Sequence, residues 1–546
     1  MSKVDRNEVL TTMRSIVGNK FANSDDYLLD NYAYQYLGDL ATGGESKFTN
    51  RPICVVLPST TDEIVKIVKY CNENELQFKA QSTGWGAHNC AGQEDKVIIL
   101  DCRRMNKILD IDTKNMIVVV EPYVISGQLQ TELFKLGLNC HVAGCGANGS
   151  QLVTVTSMCG QGWTGISTGF SNRNIIGAEW VMPEGIVCRI GSWGSFKDSE
   201  DPEKVIDASE WFLADGPGPS IRGVYRGYFG AFGGMGVFTK ASIKLYDWPG
   251  PKVLEIQGRS PNYSLVKNKM PENCDTYHII WDDWEDFKDA GYLLAYSEIC
   301  WGLCRIQGFD MALAAASNNT AMYTEKIFQD LAHRGGHELM VLIVADNKKE
   351  FDYRQKVLNY IVEKTNGEYN PLTQIKPMKA LAFLAIVRQC NTTRGVFRAG
   401  GGFHTSLGAL GSWDWCVEGA KIGERLKQKA IDFGGLVDDG ADNVWGNPYE
   451  GGTFSHLEEL FMYDITDETS RKAASHYLDS VIEANKIYPL GIGLGIGDME
   501  GSAHQCDLFG PITSNYHTWM KAIKYEFDPN NASDPGNYTE GKKFEG

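Results

Sequence analysis

Short apolar runs alternate with amphipathic segments along the first 250 residues. The β-branched run from Arg51 to Pro58 ends at a proline and predicts a strand. Apolar residues then recur at the spacing of one helix face between Ile64 and Cys71, and one of residues 59–61 can cap that helix. Strands are predicted over 76–80, 97–100 and 116–120, a helix over 126–136, and a hairpin over 179–190. This part of the chain therefore combines strands and helices and becomes richer in strands towards residue 250.

The pattern changes after the segment DWPGP, residues 247–251. Helical periodicity is found over 318–333 and 414–429, and a strand-like run over 339–344. These elements predict a second α+β domain over about 251–500. The last 45 residues are less periodic, and the absence of a repeat with a fixed period argues against a solenoid or a propeller.

Charge and cysteine content narrow the class of protein. The 546 residues include 52 Lys and Arg against 69 Asp and Glu, a net charge of −17, which disfavours nucleic acid and anionic lipid as partners. The chain has no apolar run of about 18 residues and no secretory signal, so we expect a cytoplasmic protein. The 14 cysteines are then expected to be reduced. Cys300 and Cys304 are spaced as on one helix face, and core packing is favoured over a redox or cluster role.

Three glycine-rich stretches are candidates for ligand binding. Glycine makes up 59 of 546 residues, and it concentrates in residues 80–92, 141–185 and 227–249. The first stretch follows a strand, and its small residues can present backbone amides to a pyrophosphate. The second supplies many backbone and hydroxyl groups without bulk, which suits a flat heteroaromatic ligand. None of the three matches the simple Rossmann or P-loop fingerprint.

The order of these stretches resembles the FAD-binding domain of the vanillyl-alcohol oxidase/p-cresol methylhydroxylase flavoprotein superfamily. Residues 527–536, FDPNNASDPG, resemble the closing segment of that superfamily. Within it, the chain is most similar to the branch of D-lactate dehydrogenase and the flavoprotein component of glycolate oxidase. The resemblance implies an α+β fold with a two-subdomain FAD-binding domain of the PCMH type and an α+β substrate (cap) domain. It implies four parts: a helical segment 1–44, the FAD domain 45–250, the cap 251–500, and a segment 501–546 that returns to the FAD domain.

The resemblance also implies which residues bind FAD. Trp85 stands where some relatives have a histidine bonded to the flavin, so the FAD is expected to be non-covalent at this position. Gln81 replaces an arginine of the commonest pattern. The pyrophosphate loop would comprise Ser82, Thr83, Gly84, Trp85, Gly86 and Ala87. The remaining FAD positions would be Gly144, Gly146, Asn148, Thr154, Thr156, Ser157, Gly160, Gly165, Ser167, Asn172, Ile176, Ile186, Val187 and Gly236.

The implied reaction is oxidation of a 2-hydroxy acid or related alcohol, with hydride transfer to flavin N5. No NAD fingerprint and no set of cluster-ligand cysteines is present, so electrons are expected to pass to a protein acceptor, such as an iron–sulfur protein or an electron-transfer flavoprotein. A homo- or hetero-oligomer is expected. One alternative is an aromatic alcohol oxidase, which the 13 Trp and 24 Tyr residues would suit. Another is a flavin-dependent alkyl transferase without net redox change.

Candidate catalytic residues lie in the second domain. His404 and His456 are the first candidates for a general base, and Tyr449 is a further one. Arg394 and Arg398 could bind a carboxylate bidentately. His404, His456 and Glu459 could also hold a metal, since His456 and Glu459 would share a face if they lay on a helix. The usual metal-binding segment of the branch is absent, so ordinary histidines are favoured, with His504 a further site to inspect.

Overall fold

The structure is a computed structural model. It describes residues 5–34, 48, 50–84, 96–144, 146–157, 160–192, 215–226, 230–259, 262–389, 397–442, 444–488, 508–536 and 538–543. The helices are α1 (Arg6–Val17), α2 (Asp26–Ala33), α3 (Thr61–Glu73), α4 (Ser126–Lys135), α5 (Gln151–Thr156), α6 (Gly165–Thr168), α7 (Trp284–Ser297), α8 (Gly308–Ala315), α9 (Asn319–Thr324), α10 (Lys326–Ala332), α11 (Lys348–Lys364), α12 (Lys376–Arg388), α13 (Trp413–Phe433), α14 (Glu468–Ile487) and α15 (Tyr516–Phe527).

The strands fall into two groups along the chain. The first group is β1 (Ala22–Asn23), β2 (Cys54–Val56), β3 (Gln77–Gln81), β4 (Val97–Asp101), β5 (Ile108–Asp112), β6 (Ile117–Val120), β7 (Leu138–Asn139), β8 (Ile175–Val181), β9 (Val187–Gly191), β10 (Val237–Lys244) and β11 (Tyr246–Asp247). The second group is β12 (Ile256–Arg259), β13 (Asn262–Leu265), β14 (Cys274–Trp281), β15 (Gly302–Cys304), β16 (His337–Val344), β17 (Glu368–Tyr369), β18 (Gly401–Gly411), β19 (Val444–Tyr449) and β20 (Phe454–Asp464).

Two sheets organise the N-terminal half. The first has the order β1-β2-β4-β3, with β2, β4 and β3 parallel, and the second is the antiparallel sheet β5-β6-β10-β8-β9. Helix α3 begins where the sequence predicts, because the hydroxyl of Thr60 accepts a hydrogen bond from the amide of Glu63 at 3.2 Å. Strand β1 pairs with β2, so the N-terminal segment adds a strand to the first sheet.

The C-terminal segment packs on the same half of the molecule. The amide of Phe78 in β3 donates to the carbonyl of Ala532 at 2.8 Å, and the carbonyl of Phe78 accepts from the amide of Asp534 at 3.0 Å. The Lys79 ammonium lies 3.0 Å from the Asp534 carboxylate, and both side chains are buried. This attachment lies on the strand that leads directly into the first glycine-rich stretch.

The second domain is built on two antiparallel sheets that lie edge to edge. Its two sheets have the orders β17-β14-β16-β15 and β19-β20-β18. The amide of Arg305, just after β15, donates to the carbonyl of Gly446 in β19 at 2.7 Å, so this bridge joins the two sheets edge to edge. One face packs on α7, α11, α13 and α14, and the other meets α8 and α12.

Several predicted elements differ from the structure. The helix expected over 318–333 is divided into α9 and α10 at Glu325, whose backbone is extended. Cys300 and Cys304 do not share a helix face: Cys304 ends strand β15, and the two side chains enter different apolar clusters. Burial raises the pKa of both thiols, which is consistent with core packing. Within the described part of the chain, we find no helix both long and apolar enough to cross a bilayer.

Candidate functional site

Strand β19 brings the second domain against the second glycine-rich stretch. The indole of Trp445 lies on Gly144, where an ideal Cβ would be 2.3 Å from Cζ2 of the ring. The ring of Tyr449 lies on Gly165, where an ideal Cβ would be 1.9 Å from Cε1. Both glycines therefore permit close approach of an aromatic side chain from the other domain.

The same face of the sheet carries a histidine and a carboxylate. Asn447 is directly opposite His456, and Trp445 is directly opposite Glu458, in the register of β19 with β20. Directly opposed residues of antiparallel strands share a face, and residues two apart on one strand do so as well. His456 and Glu458 thus lie on the face from which Trp445 and Tyr449 contact the N-terminal domain.

His456 and Glu458 form a hydrogen-bonded pair. Nε2 of His456 lies 2.9 Å from Oε2 of Glu458, and the ring of Trp445 packs edge-on to the imidazole at 6.2 Å between centroids. A carboxylate can only accept, so Nε2 carries the hydrogen and Nδ1 is the ring nitrogen able to take a proton. His456 is a sequence-predicted candidate, whereas Glu458 is not. The signal that could have found Glu458 is its two-residue spacing from His456 along a strand.

A second carboxylate, that of Asp310, acts on the same part of the sheet as Glu458. Burial raises the pKa of the Cys304 thiol well above its ordinary value, and the charges of Asp310 and Glu458 raise it further. Asp310 is in α8, on the side of the sheet where Cys304 packs. The carboxylates of Glu458 and Asp310 therefore act on the same buried thiol.

The predicted metal set is not assembled. His404 is directly opposite Phe461, and Glu459 directly opposite Val444, so both lie on the opposite face of the sheet from His456. Residues 454–464 form a strand, and the three-residue spacing that would bring His456 and Glu459 together on a helix separates them here. Among the described residues, there is no group of three or more His, Cys, Asp or Glu side chains arranged to hold a metal ion.

Glu459 instead belongs to a buried ionic cluster behind the sheet. Nζ of Lys427 lies 2.5 Å from Asp439 and 3.1 Å from Glu459. Burial raises the pKa of Glu459 well above its ordinary value, the charge of Asp439 adds to this, and Lys427 opposes it. This cluster joins α13 to β20.

The arginine candidates have different environments. Nη1 of Arg398 donates to the carbonyls of Leu313 and Ala316, at 2.7 Å for Ala316, near the carboxyl end of α8. This places its guanidinium on a helix terminus, where a cation is stabilised by the exposed carbonyls. Arg394 and His504 lie outside the described residues.

The predicted pyrophosphate loop begins at the carboxyl end of parallel strand β3, a usual ligand position in such sheets. The hydroxyl of Ser82 donates to the carbonyl of Pro122 at 2.6 Å, Thr83 is half-buried, and Gly84 has a left-handed backbone with φ +64°. Trp85, Gly86 and Ala87 lie outside the described residues. The described start of the loop fits a ligand that needs close backbone approach.

The other FAD candidates divide into packed and open positions. Gly144, Gly160, Gly165 and Gly236 pack on protein atoms, and Gly236 has φ +86°. Thr154 and Thr156 donate their hydroxyls to carbonyls within α5. Gly144 and Gly160 nevertheless remain partly accessible, as do Asn148, Ser157, Ser167, Asn172, Ile176, Ile186 and Val187. Gly146 is buried with φ +99°.

These open positions fit FAD. Ile186 lies in the turn between strands β8 and β9, beside the half-buried Val187, and its side chain is 57% exposed. Asn148 is exposed near the start of α5. Small residues, hydroxyls and an exposed aliphatic side chain make up a donor and packing set suited to a ribityl chain and a flat ring. FAD contacts at the individual residues remain predictions.

Comparison with known proteins agrees with this fit. Residues 52–191 match the family model of an FAD binding domain. An uncharacterised FAD-linked oxidoreductase of Mycobacterium tuberculosis is 27% identical over 208 residues, 38% of this chain and 44% of that protein. Glycolate oxidase subunit GlcD of Bacillus subtilis is 24% identical over 239 residues, 42% and 43% of the two chains. The 4-cresol dehydrogenase flavoprotein subunit of Pseudomonas putida is 28% identical over 183 residues, 32% of each chain.

A solved structure extends the likeness to the whole fold. The structure of p-cresol methylhydroxylase with substrate bound matches with a TM-score of 0.73 and 18% identity, over 98% of this chain and 97% of that one. By contrast, this chain covers less than half the length of each of the three curated relatives. The comparisons therefore define an FAD-binding flavoprotein with a second domain of the p-cresol methylhydroxylase fold.

Residues 52–191 carry an FAD binding domain, and the fold of the chain is that of p-cresol methylhydroxylase, which together support the resemblance to the vanillyl-alcohol oxidase/p-cresol methylhydroxylase flavoprotein superfamily. The glycolate oxidase relative supports the resemblance to the branch of D-lactate dehydrogenase and glycolate oxidase. The predicted α+β fold with a PCMH-type FAD-binding domain and a second domain is confirmed.

Proposed function

We propose that this protein is an FAD-dependent oxidoreductase that oxidises a neutral hydroxylated substrate, with an aromatic alcohol or phenol as the preferred class. The observation that carries the proposal is the His456–Glu458 pair, 2.9 Å apart, on the sheet face that contacts the FAD-binding domain through Trp445 and Tyr449. Bound FAD supplies the acceptor for the hydride that leaves the substrate carbon.

The chain's own residues handle the proton. His456 accepts the proton of the substrate hydroxyl at Nδ1, and Glu458 stabilises the resulting imidazolium through the Nε2–H bond. Trp445 packs on the imidazole and on Gly144, so it limits access of water to the pair. This arrangement makes Glu458 a positioning residue and His456 the base.

The charge distribution favours a neutral substrate. The charges of Glu458 and Asp310 both raise the pKa of the buried Cys304 thiol. The guanidinium of Arg398 donates to the carbonyls of Leu313 and Ala316. A carboxylate substrate placed beside these acids would be repelled, whereas an aromatic ring would pack on Trp445. The whole-chain fold likeness to p-cresol methylhydroxylase supports the same class.

A 2-hydroxy acid is the second candidate. It is supported by the likeness to glycolate oxidase subunit GlcD, which covers 42% of this chain. This candidate requires a cation for the carboxylate. Arg394, a sequence-predicted candidate for that role, lies outside the described residues.

Anaerobic mixing of the holoenzyme with a substrate panel tests the proposal. Neutral aromatic alcohols and phenols are expected to bleach the flavin absorbance faster than 2-hydroxy acids at equal concentration. Bleaching by 2-hydroxy acids alone would establish the second candidate. Absence of bleaching with every alcohol and hydroxy acid would contradict oxidation and point to chemistry without net redox change.

The electron acceptor is a separate part of the proposal. We propose a protein acceptor, supported by the likeness to the flavoprotein subunit of 4-cresol dehydrogenase. Stopped-flow reoxidation of the reduced enzyme tests it: slow reaction with oxygen and fast reaction with a one-electron dye are expected. Fast reoxidation by oxygen with release of peroxide would identify an oxidase instead.

A further inference from the structure

Asn447 places a buried hydrogen-bond acceptor beside the proposed base. It is directly opposite His456 across β19 and β20, on the same face, and its exposed fraction is 0%. Nδ2 donates to the carbonyl of Pro448 at 3.2 Å. Oδ1 has no hydrogen-bond partner among the residues that the structure describes.

The orientation of this amide is set by its neighbour. Rotation by 180° would turn Oδ1 towards the carbonyl oxygen of Pro448, so that two acceptors would face each other. Oδ1 is therefore the atom directed away from Pro448. A buried amide oxygen without a donor costs free energy, and such groups in proteins usually meet a ligand or an ordered water.

We infer that Asn447 is a specificity-determining residue. The substrate then carries a second hydrogen-bond donor on the atom next to the one that bears the hydroxyl deprotonated by His456. This inference rests on the proposed function. His456 takes the proton of one hydroxyl, and Oδ1 of Asn447 accepts a hydrogen bond from the other. Cβ atoms of directly opposed residues are about 4.5–5.5 Å apart, so their polar groups can reach two adjacent oxygens of one small molecule.

The substrate class is therefore a vicinal dihydroxy compound. An aromatic ring with two adjacent hydroxyls, and with an alcohol carbon para to the one that His456 deprotonates, provides both donors and the carbon from which the hydride leaves, and it can pack on Trp445. A 2-hydroxy carboxylate presents acceptor oxygens next to its hydroxyl, and these would face Oδ1 and the Glu458 carboxylate. An ether oxygen in the adjacent position would be an acceptor as well, and it gains nothing from Asn447.

Three ring compounds that differ at one position test the inference. They are 3,4-dihydroxybenzyl alcohol, 4-hydroxybenzyl alcohol and 4-hydroxy-3-methoxybenzyl alcohol. Anaerobic stopped-flow on the holoenzyme gives a dissociation constant and a limiting rate from the concentration dependence of flavin bleaching. For a compound that binds without reducing the flavin, titration of the flavin absorbance gives the dissociation constant.

The dihydroxy compound is expected to bind roughly threefold to tenfold more tightly than the 4-hydroxy compound, the range of one net hydrogen bond. Asn447→Leu should bring this ratio to about one. The methoxy compound should bind no better than the 4-hydroxy compound to any form.

Binding of the three compounds to the unsubstituted enzyme tests the inference even if Asn447→Leu does not fold. Equal binding of the dihydroxy and methoxy compounds, or an unchanged ratio in Asn447→Leu, overturns the role of Asn447. Flavin bleaching by aromatic alcohols would still support the proposed function in that case. No binding of any of the three compounds overturns the inference together with the preference for aromatic alcohols, and it leaves the 2-hydroxy acid as the candidate substrate.

Discussion

Gly165→Ala should weaken the contact between the two domains. An ideal Cβ at this position would lie 1.9 Å from Cε1 and 2.3 Å from Cδ1 of Tyr449, whereas carbon atoms pack at about 3.5–4.0 Å. The Tyr449 ring is fully buried between Phe170 and Phe454, each with its centroid 6.2 Å away, so it has little room to turn. Overpacking in such a core costs about 1–3 kcal/mol, and we expect the upper part of that range.

Urea unfolding of the holoenzyme, followed by fluorescence, measures this change in the free energy of unfolding. Gly223→Ala is the matched control, because an ideal Cβ on Gly223 has no atom within 4 Å. Replacing Tyr449 by Leu alone should also be destabilising, but the double variant should lose less stability than the sum of the two single changes. Equal stability of Gly165→Ala and Gly223→Ala, or full additivity in the double variant, would refute the proposed packing of Tyr449 on Gly165.

Ionisable groups lead to three further predictions. Burial lowers the pKa of His141 to about 4 in the folded protein. As the pH falls, this histidine is therefore protonated in the unfolded chain before it is protonated in the folded protein. The free energy of unfolding should consequently fall by about 2 kcal/mol between pH 8 and pH 5. Comparing urea unfolding of His141→Phe at both pH values checks this, since the variant should lose that part of the pH dependence. Lys524→Met should cost about 3–5 kcal/mol and expose the C-terminal segment to proteolysis, because it leaves the Asp528 carboxylate buried without its ammonium partner. Exposed Lys542→Met is the control, and equal proteolysis of both would contradict the prediction. Glu458→Gln should slow anaerobic flavin reduction by about 100-fold and leave FAD binding unchanged. An unaltered rate would contradict the proposed role of Glu458 in positioning His456.

Much of the FAD-binding domain could be predicted from the sequence because its elements follow local rules. The helix expected over 126–136 with a stop at Gly137 is α4, Ser126–Lys135, and Gly137 has φ +74°. The hairpin expected over 179–190 is formed by β8 and β9. Both rest on turn and cap chemistry that neighbouring residues determine.

Strand β20 could not be predicted in the same way. A half-buried strand shows alternating polarity, but Glu458 and Glu459 are adjacent and project to opposite faces. Glu459 is tolerated in the interior because Lys427, on a helix 32 residues earlier, lies 3.1 Å away. The local sequence holds no sign of this distant partner, so the helical spacing of His456 and Glu459 is a misleading signal.

The glycines show a second limit of sequence reasoning. The family resemblance assigns Gly144 and Gly165 to FAD, and the structure shows each of them against an aromatic side chain of β19. A glycine indicates that another group approaches the backbone closely, but its sequence position does not show whether that group is a ligand or a side chain. Trp445 and Tyr449 are more than 280 residues away in the chain.

The FAD content of the purified protein tests the central claim most directly. Absorbance of the native protein and of the supernatant after heat denaturation gives the ratio of FAD to chain and its mode of attachment. We predict about one FAD per chain, all of it released into the supernatant. A folded but colourless protein that remains colourless after incubation with excess FAD would contradict the account.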